Sequence, residues 1–249
     1  SQQFYESIGM KKVKSGREAP DFAFQPAFIQ SLGNEGEYYD GKVCQWVDVP
    51  SVEGRASKRG TSRIREVEAE YVAKEVQRLF MAGGNSLSVG VITFYTPQRD
   101  LIMEKLAKTQ VNGKPLMVKR DGQFEPSLEF ATTASGEEGL RVGSVDAFQG
   151  KEFDVVLLSC VRTWQIPRSN KKYVANNDLA SEDLYEDQLN RMFGFLRLPN
   201  RMNVAMSRQR QMLICIGDAA LATNEYAKEG VPALNAFYEL CGGEHGTIR

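Results

Sequence analysis

Two stretches of this chain carry the residue types that phosphate chemistry needs. The first, SVDAFQGKE (144–152), joins the apolar runs LRVGSV (140–145) and FDVVLLSCV (153–161). Gly150 within it has no Cβ, so the backbone there can approach a ligand closely. The second, RMNVAMSRQR (201–210), carries Arg201 and Arg208 just ahead of the apolar run QMLICIG (211–217). A guanidinium is planar and permanently charged, which suits the charge on a transferring phosphoryl group. Thr93 and Ser144 end apolar runs that read as strands, and ligands of open α/β sheets bind outside such ends. Hydroxyls and free backbone N–H groups at these places, Val145 and Asp146 included, can grip nucleic-acid phosphates without reading bases. Asp146 and Gln149 also read as plain turn caps, and Gln98 and Arg99 fit scaffold or cleft equally well.

Other chemistry is missing. No G-x-x-x-x-G-K-[ST] loop occurs, and the pairs Gly41-Lys42, Gly113-Lys114 and Gly150-Lys151 lack both the earlier glycine and the hydroxyl residue. No apolar strand ends in an acidic pair for Mg²⁺. The chain is therefore expected to hold half an ATP site at most. Its four cysteines, Cys44, Cys160, Cys215 and Cys241, have no CxxC spacing and read as buried apolar residues in a reducing compartment. His245, the only histidine, reads as a tail residue and no metal ligand.

The elements that must position these residues alternate. KVCQWVDV (43–50) reads as a strand and 51–61 as loop. An amphipathic helix is predicted over Ser62–Phe80, with Ser62 as N-cap and Gly83-Gly84 ending it. SVGVITFY (88–95) reads as a strand buried on both faces. Pro97 opens a helix running to about Thr109. Residues 110–138 read as loop with one short strand at PLMVK. Beyond the two strands around DAFQGKE, 163–193 reads as a long polar, insertion-like connection. A helix is predicted at Asn203–Gln209, a strand at 211–217 and a last helix at 232–241. The predicted fold is a three-layer α/β domain around a parallel sheet.

Bulk properties agree with a globular chain: 42% hydrophobic and 25% charged residues over 249, at a formal net charge of −1. There is no overall basic pull toward nucleic acid, although a local basic groove is not excluded. No apolar run approaches the roughly 20 residues that span a bilayer. No signal peptide opens the chain, so no membrane partner is expected and the location reads as cytoplasmic, or nuclear in a eukaryote. The first residue is Ser, as in a piece of a longer protein.

VGSVDAFQGKEFDVVLLSCVR (142–162) resembles motif V of the superfamily 1B helicases, the group of the nonsense-mediated-decay helicase. GFLRLPNRMNVAMSRQR (194–210) resembles motif VI, and VGVITFYTPQRDLI (89–102) the family's GIITPY-x-x-Q segment, in the same order. SRIREVEA (62–69) is similar to S-x-x-N-x-x-EA, and QFYE (3–6) to the FYEG that follows the QYRM element. The segments 15–42 and 163–193 match least. The resemblance implies that residues 1–249 form a second RecA-like, P-loop NTPase-like domain without its own phosphate loop. It implies an ATP site, with Mg²⁺, shared with an N-terminal RecA-like domain of the same parent that holds most of both. Arg208 matches the arginine finger and Arg201 the second arginine of an RR pair, the catalytic candidates; Glu152 matches the residue that reaches the ribose. Gly150, Gln149, Glu152 and Arg208 are thus the nucleotide-binding candidates. Thr93, Ser144, Val145 and Asp146 are the candidates for single-stranded DNA or RNA, with 5′-to-3′ movement implied.

The chain departs from the family pattern at Asn200 (for Arg), Ser207 (for Thr), Gln209 (for Ala), Phe94 (for Pro) and Arg65 (for Asn). A non-catalytic binding or scaffold module built on a helicase domain is the alternative of a different class. Among the aromatics, Phe148 reads as core, while Tyr95 and Trp164 are candidates for stacking on bases.

Overall fold

A computed structural model describes residues 22–164 and 179–249. Along the chain come α1 (Pro26–Ser31), β1 (Cys44–Asp48), β2 (Ser57–Arg59), β3 (Ser62–Ile64) and α2 (Glu66–Gly83). Then follow β4 (Val89–Thr93), α3 (Thr96–Lys108), β5 (Gln110–Val111), β6 (Lys114–Pro115), β7 (Met117–Arg120), β8 (Gln123–Pro126) and α4 (Leu128–Ala131). The rest are β9 (Leu140–Ser144), β10 (Phe153–Ser159), α5 (Leu179–Phe193), α6 (Pro199–Ala205), β11 (Gln209–Gly217), α7 (Ala220–Thr223), α8 (Ala227–Gly230), α9 (Pro232–Cys241) and β12 (Gly246–Ile248).

The core is a six-stranded sheet in the order β12-β1-β11-β10-β4-β9, and every pairing in it is parallel. Strand alternation sorts β10 cleanly. Val155 and Leu157 face α2 and α3, where Val72, Val76, Leu79, Ile102 and Leu106 bury against them. Val156 and Leu158 face the other way, onto Leu189 and Phe193 of α5, Met202 of α6 and Leu234 of α9. Each such side chain contributes about 1.5–3 kcal/mol on full burial. The two cores, one per face, make the three layers of a RecA-like α/β fold, as the strand pattern predicts.

One close approach fixes the functional loop. A Cβ on Gly90 of β4 would lie 2.8 Å from Phe148 and 2.9 Å from Phe153. Glycine therefore lets Phe148 pack closely against β4, fully buried and 5.5 Å from the Phe153 ring. That anchors the 145–152 connection between β9 and β10.

Several expectations are corrected. Ser62 is no N-cap: it pairs with Arg59 in a hairpin turning at Gly60, whose φ is +64°. The helix starts at Glu66, after Arg65 gives its backbone N–H to the Gln98 side chain at 2.8 Å. Residues 51–61 are thus not all loop. Residues 110–126 hold two small hairpins where one strand was expected. The helix expected at 203–209 is Pro199–Ala205, with Pro in its first turn as the start signal. Gln209 belongs to the sheet, opposite Phe153. Within 163–193, Leu179–Phe193 is a helix seated by buried Leu189 and Phe193. QFYE, the lysines near residue 12 and most of the 163–178 stretch lie outside the described residues.

Candidate functional site

A parallel sheet has two unlike edges, and the candidate residues divide between them. At the N-terminal edge, β10 and β11 start side by side. The Phe153 N–H donates to the Arg208 carbonyl at 2.9 Å, so Glu152 and Arg208 come together although 56 positions separate them in the sequence. Arg208 is half-buried, and its Nε and Nη2 donate only to the Ser207 hydroxyl, at 3.3 and 2.8 Å. It forms no ion pair among the described residues. Gly150 and Gln149 are exposed in the same connection, with Gly150 at φ +72°, the left-handed region where glycine is unstrained.

Arg210, two residues further on, is occupied. It grips Glu137 through two bonds of 2.8 and 2.9 Å and reaches Asp154 at 3.7 Å and Glu152 at 3.8 Å. Asp154 is itself fixed by the Ser88 N–H and hydroxyl, at 2.9 and 2.7 Å. The Arg210 guanidinium beside Glu137 holds that carboxyl below the usual range. Sequence reasoning passed over Arg210 because nothing in its spacing distinguishes it from any surface cation.

At the C-terminal edge, Ser144, Thr93 and Ser159 stand in register on three neighbouring strands, all turned to the α2–α3 face. Thr93 is fully buried, and its hydroxyl has no partner among the described residues. Ser144 is half-buried, so of the two candidate hydroxyls it alone is partly open to solvent. Val145 is buried and Asp146 exposed. Asp146 pairs with Arg201 at 3.2 Å, and Arg201 also lies 5.5 Å above the Phe195 ring. Arg201 is thus on the strand-end side with Asp146, away from Arg208's ion-free position in the β10–β11 start.

Behind these ends lies a buried polar network. Glu68 accepts from the Ser159 hydroxyl (2.6 Å), the Val161 N–H (2.7 Å) and Arg65 (3.1 Å). Burial pushes its carboxyl up against the pull of those partners. Arg65, fully buried, also donates to the carbonyls of Val49 (2.6 Å) and Gly54 (2.8 Å). The residue that replaces the family's Asn is therefore a structural clamp. Gln98 is buried in the same network, bonded to both backbone groups of Arg65 and to Ser159, and is scaffold. Arg99 pairs with its neighbour Asp100. Val161 has φ +66°, a genuine outlier for a β-branched residue. Its turn aims Arg162 at the Tyr95 hydroxyl, 2.8 Å away. Tyr95 is buried and so is closed to bases, while Trp164 is half-buried, its ring centroid 6.1 Å from that of Tyr226. All four cysteines are buried and free.

Fold and site together define a RecA-like α/β domain with the candidate residues divided between the two edges of its sheet. The chain belongs to the family described as AAA domain, whose model matches residues 1–220. It is homologous to superfamily 1 helicases of the nonsense-decay type. A regulator of nonsense transcripts 1 homolog from Neurospora crassa is 33% identical over 70% of this chain. The ATP-dependent helicase NAM7 of Saccharomyces cerevisiae is 32% identical over 68% of it, and the 5'-3' DNA helicase ZGRF1 of Mus musculus 29% over 64%. The chain spans only 12%, 13% and 6% of those proteins' lengths. Among the described residues, no helix is long and apolar enough to cross a membrane.

Proposed function

We propose that this chain is the second motor domain of an ATP-dependent superfamily 1 helicase or translocase on single-stranded DNA or RNA. The observation that carries the reading is Arg208, whose backbone is held next to Glu152 and whose half-buried guanidinium has no carboxylate partner among the described residues. Arg208 is held at its backbone and left with charge to spend on an anion.

The residues fit a nucleotide shared with another domain. Among the described residues, no three His, Cys, Asp or Glu side chains lie together as a metal site. Mg²⁺ and most of the ATP contacts are assigned to the N-terminal RecA-like domain of the parent. ATP supplies the transferable phosphoryl group when bound. Arg208 then meets the charge on the γ-phosphate, Glu152 the ribose, and the exposed Gln149–Gly150 backbone lines the cleft. At the opposite edge Ser144 and the Val145 and Asp146 backbone face the strand, while Thr93, buried beneath them, supports that edge from inside. Arg201 holds Asp146 there, so its role is positioning. The 145–152 connection, nailed down by Phe148, links the two edges and gives nucleotide state a path to strand grip.

The test is the ATPase rate of the full-length parent with and without Arg208→Ala. A loss of about 10³-fold or more is expected for a removed finger. An active parent with an equally active variant removes Arg208 from the mechanism. A parent that never hydrolyses ATP leaves the scaffold reading in place.

A further inference from the structure

Most of the described arginines form ion pairs. Apart from Arg162 and Arg208, the described arginines without an ion pair are Arg55, Arg59 and Arg63. All fall in RASKRGTSR (55–63), which adds Lys58 and contains no acidic residue. A chain of net charge −1 thus places three cations, Lys58, Arg59 and Arg63, on the β2–β3 hairpin, with Arg55 just ahead of it.

The arrangement works against the fold's own electrostatics. Lys58 and Arg63 are directly opposite each other across the two strands, where like charges destabilise a pair. Arg63, half-buried, also faces Arg162, and burial together with that second guanidinium pushes its own pKa down. No carboxylate among the described residues relieves either contact. An anion from outside would.

The hairpin's position says which anion. The Ala56 N–H donates to the Thr163 hydroxyl at 3.4 Å, which sets the hairpin beside the end of β10. Arg162 there holds Tyr95, two residues beyond Thr93, and Thr93 is in register with Ser144. The cations therefore continue the row of hydroxyls along the C-terminal edge, on the far side of the sheet from Arg208.

We propose that the β2–β3 hairpin is a backbone clamp for single-stranded nucleic acid, with Lys58, Arg59 and Arg63 holding phosphodiesters of the strand that crosses Ser144. The proposal rests on the reading of that edge as the strand-binding face. The clamp reads charge and not bases, so it takes any sequence.

The experiment is fluorescence anisotropy of labelled 20-nucleotide dT and U oligomers titrated with the full chain across a salt series. The variants are Lys58→Glu/Arg59→Glu/Arg63→Glu and, separately, Ser144→Ala. The hairpin variant should bind at least about tenfold more weakly at low salt. Its slope of log affinity against log salt should fall by about 2, because each of three lost phosphate contacts carries about 0.7 on a single strand. An unchanged melting temperature shows that the hairpin variant folds; Arg59→Gln, at a fully exposed tip position, repeats the test if it does not. Tighter binding of dT or of U assigns DNA or RNA as the source of the phosphates. Unchanged affinity and slope in the hairpin variant overturn the clamp, and if Ser144→Ala still weakens binding, the strand-face reading survives alone. A wild-type chain that binds neither oligomer but captures polyglutamate overturns both, and makes the hairpin a docking site for acidic protein.

Discussion

Phe153 donates its backbone N–H to the carbonyl of Arg208. This bond belongs to the sheet, yet it decides where the finger candidate stands. Because the backbone is held and the guanidinium hydrogen-bonds only Ser207 among the described residues, Arg208 is expected to contribute little to stability. Arg208→Ala should change the unfolding free energy of the chain by less than about 0.5 kcal/mol in urea melts. A large loss of stability would mean that the guanidinium has a structural partner and is not reserved for a ligand.

Arg210 makes the opposite prediction. Its contact lowers the Glu137 carboxyl pKa in the folded state, so the stability it adds is present above the unfolded value near 4.3 and is lost as pH falls through the folded one. Glu137→Gln should therefore melt below wild type at neutral pH. The two curves should converge on acidification below about pH 4, and a gap that persists there would contradict the pairing.

Glu68 and Arg65 form an ion pair with no exposure on either side chain. Removing one partner strands the other, so Glu68→Ala should lose about 3–5 kcal/mol in chemical denaturation. Replacing both, as Arg65→Met/Glu68→Leu, should recover part of that loss. Burial raises the Glu68 pKa, so its own contribution is fullest below the unfolded value near 4.3 and declines as pH rises through its folded value. A single-residue loss under about 1 kcal/mol would show that the network is not a unit.

Gly90 admits Phe148 to the face of the sheet. Gly90→Ala puts a methyl group 2.8 Å from that ring and should cost about 1–3 kcal/mol through overpacking. Because Phe148 anchors the 145–152 connection, the variant in the parent should also lose ATPase beyond what its stability loss explains at the assay temperature. Wild-type turnover at full occupancy of the folded state would separate Phe148 from the coupling.

Much of this was legible in the residues. Apolar runs such as VGVIT and FDVVLLS have only one way to bury both faces, in the middle of a parallel sheet, so the layers could be read directly. Glycine and proline punctuation fixed the ends of α2, α3 and α9. The motif-like segments gave the nucleotide and strand candidates because close backbone approach and permanent charge leave a mark on residue type. Ser62 misled because a serine before an amphipathic run fits an N-cap and a hairpin strand equally well, and only the Arg59 pairing separates them.

What the residues could not express is which groups are already satisfied. Arg201, Arg208 and Arg210 are chemically alike and lie within one ten-residue segment. Tertiary structure ties the first to Asp146 and the last to Glu137, and leaves the middle one without an acid among the described residues. In the same way it turned Gln98 and Arg65 into buried scaffold, closed Thr93 off from solvent and left the 55–63 cations unpaired. Residue type and spacing settled the fold class and named the candidate residues. Partner choice, made between groups far apart in sequence and decided by burial, settled which of those residues remain available for it.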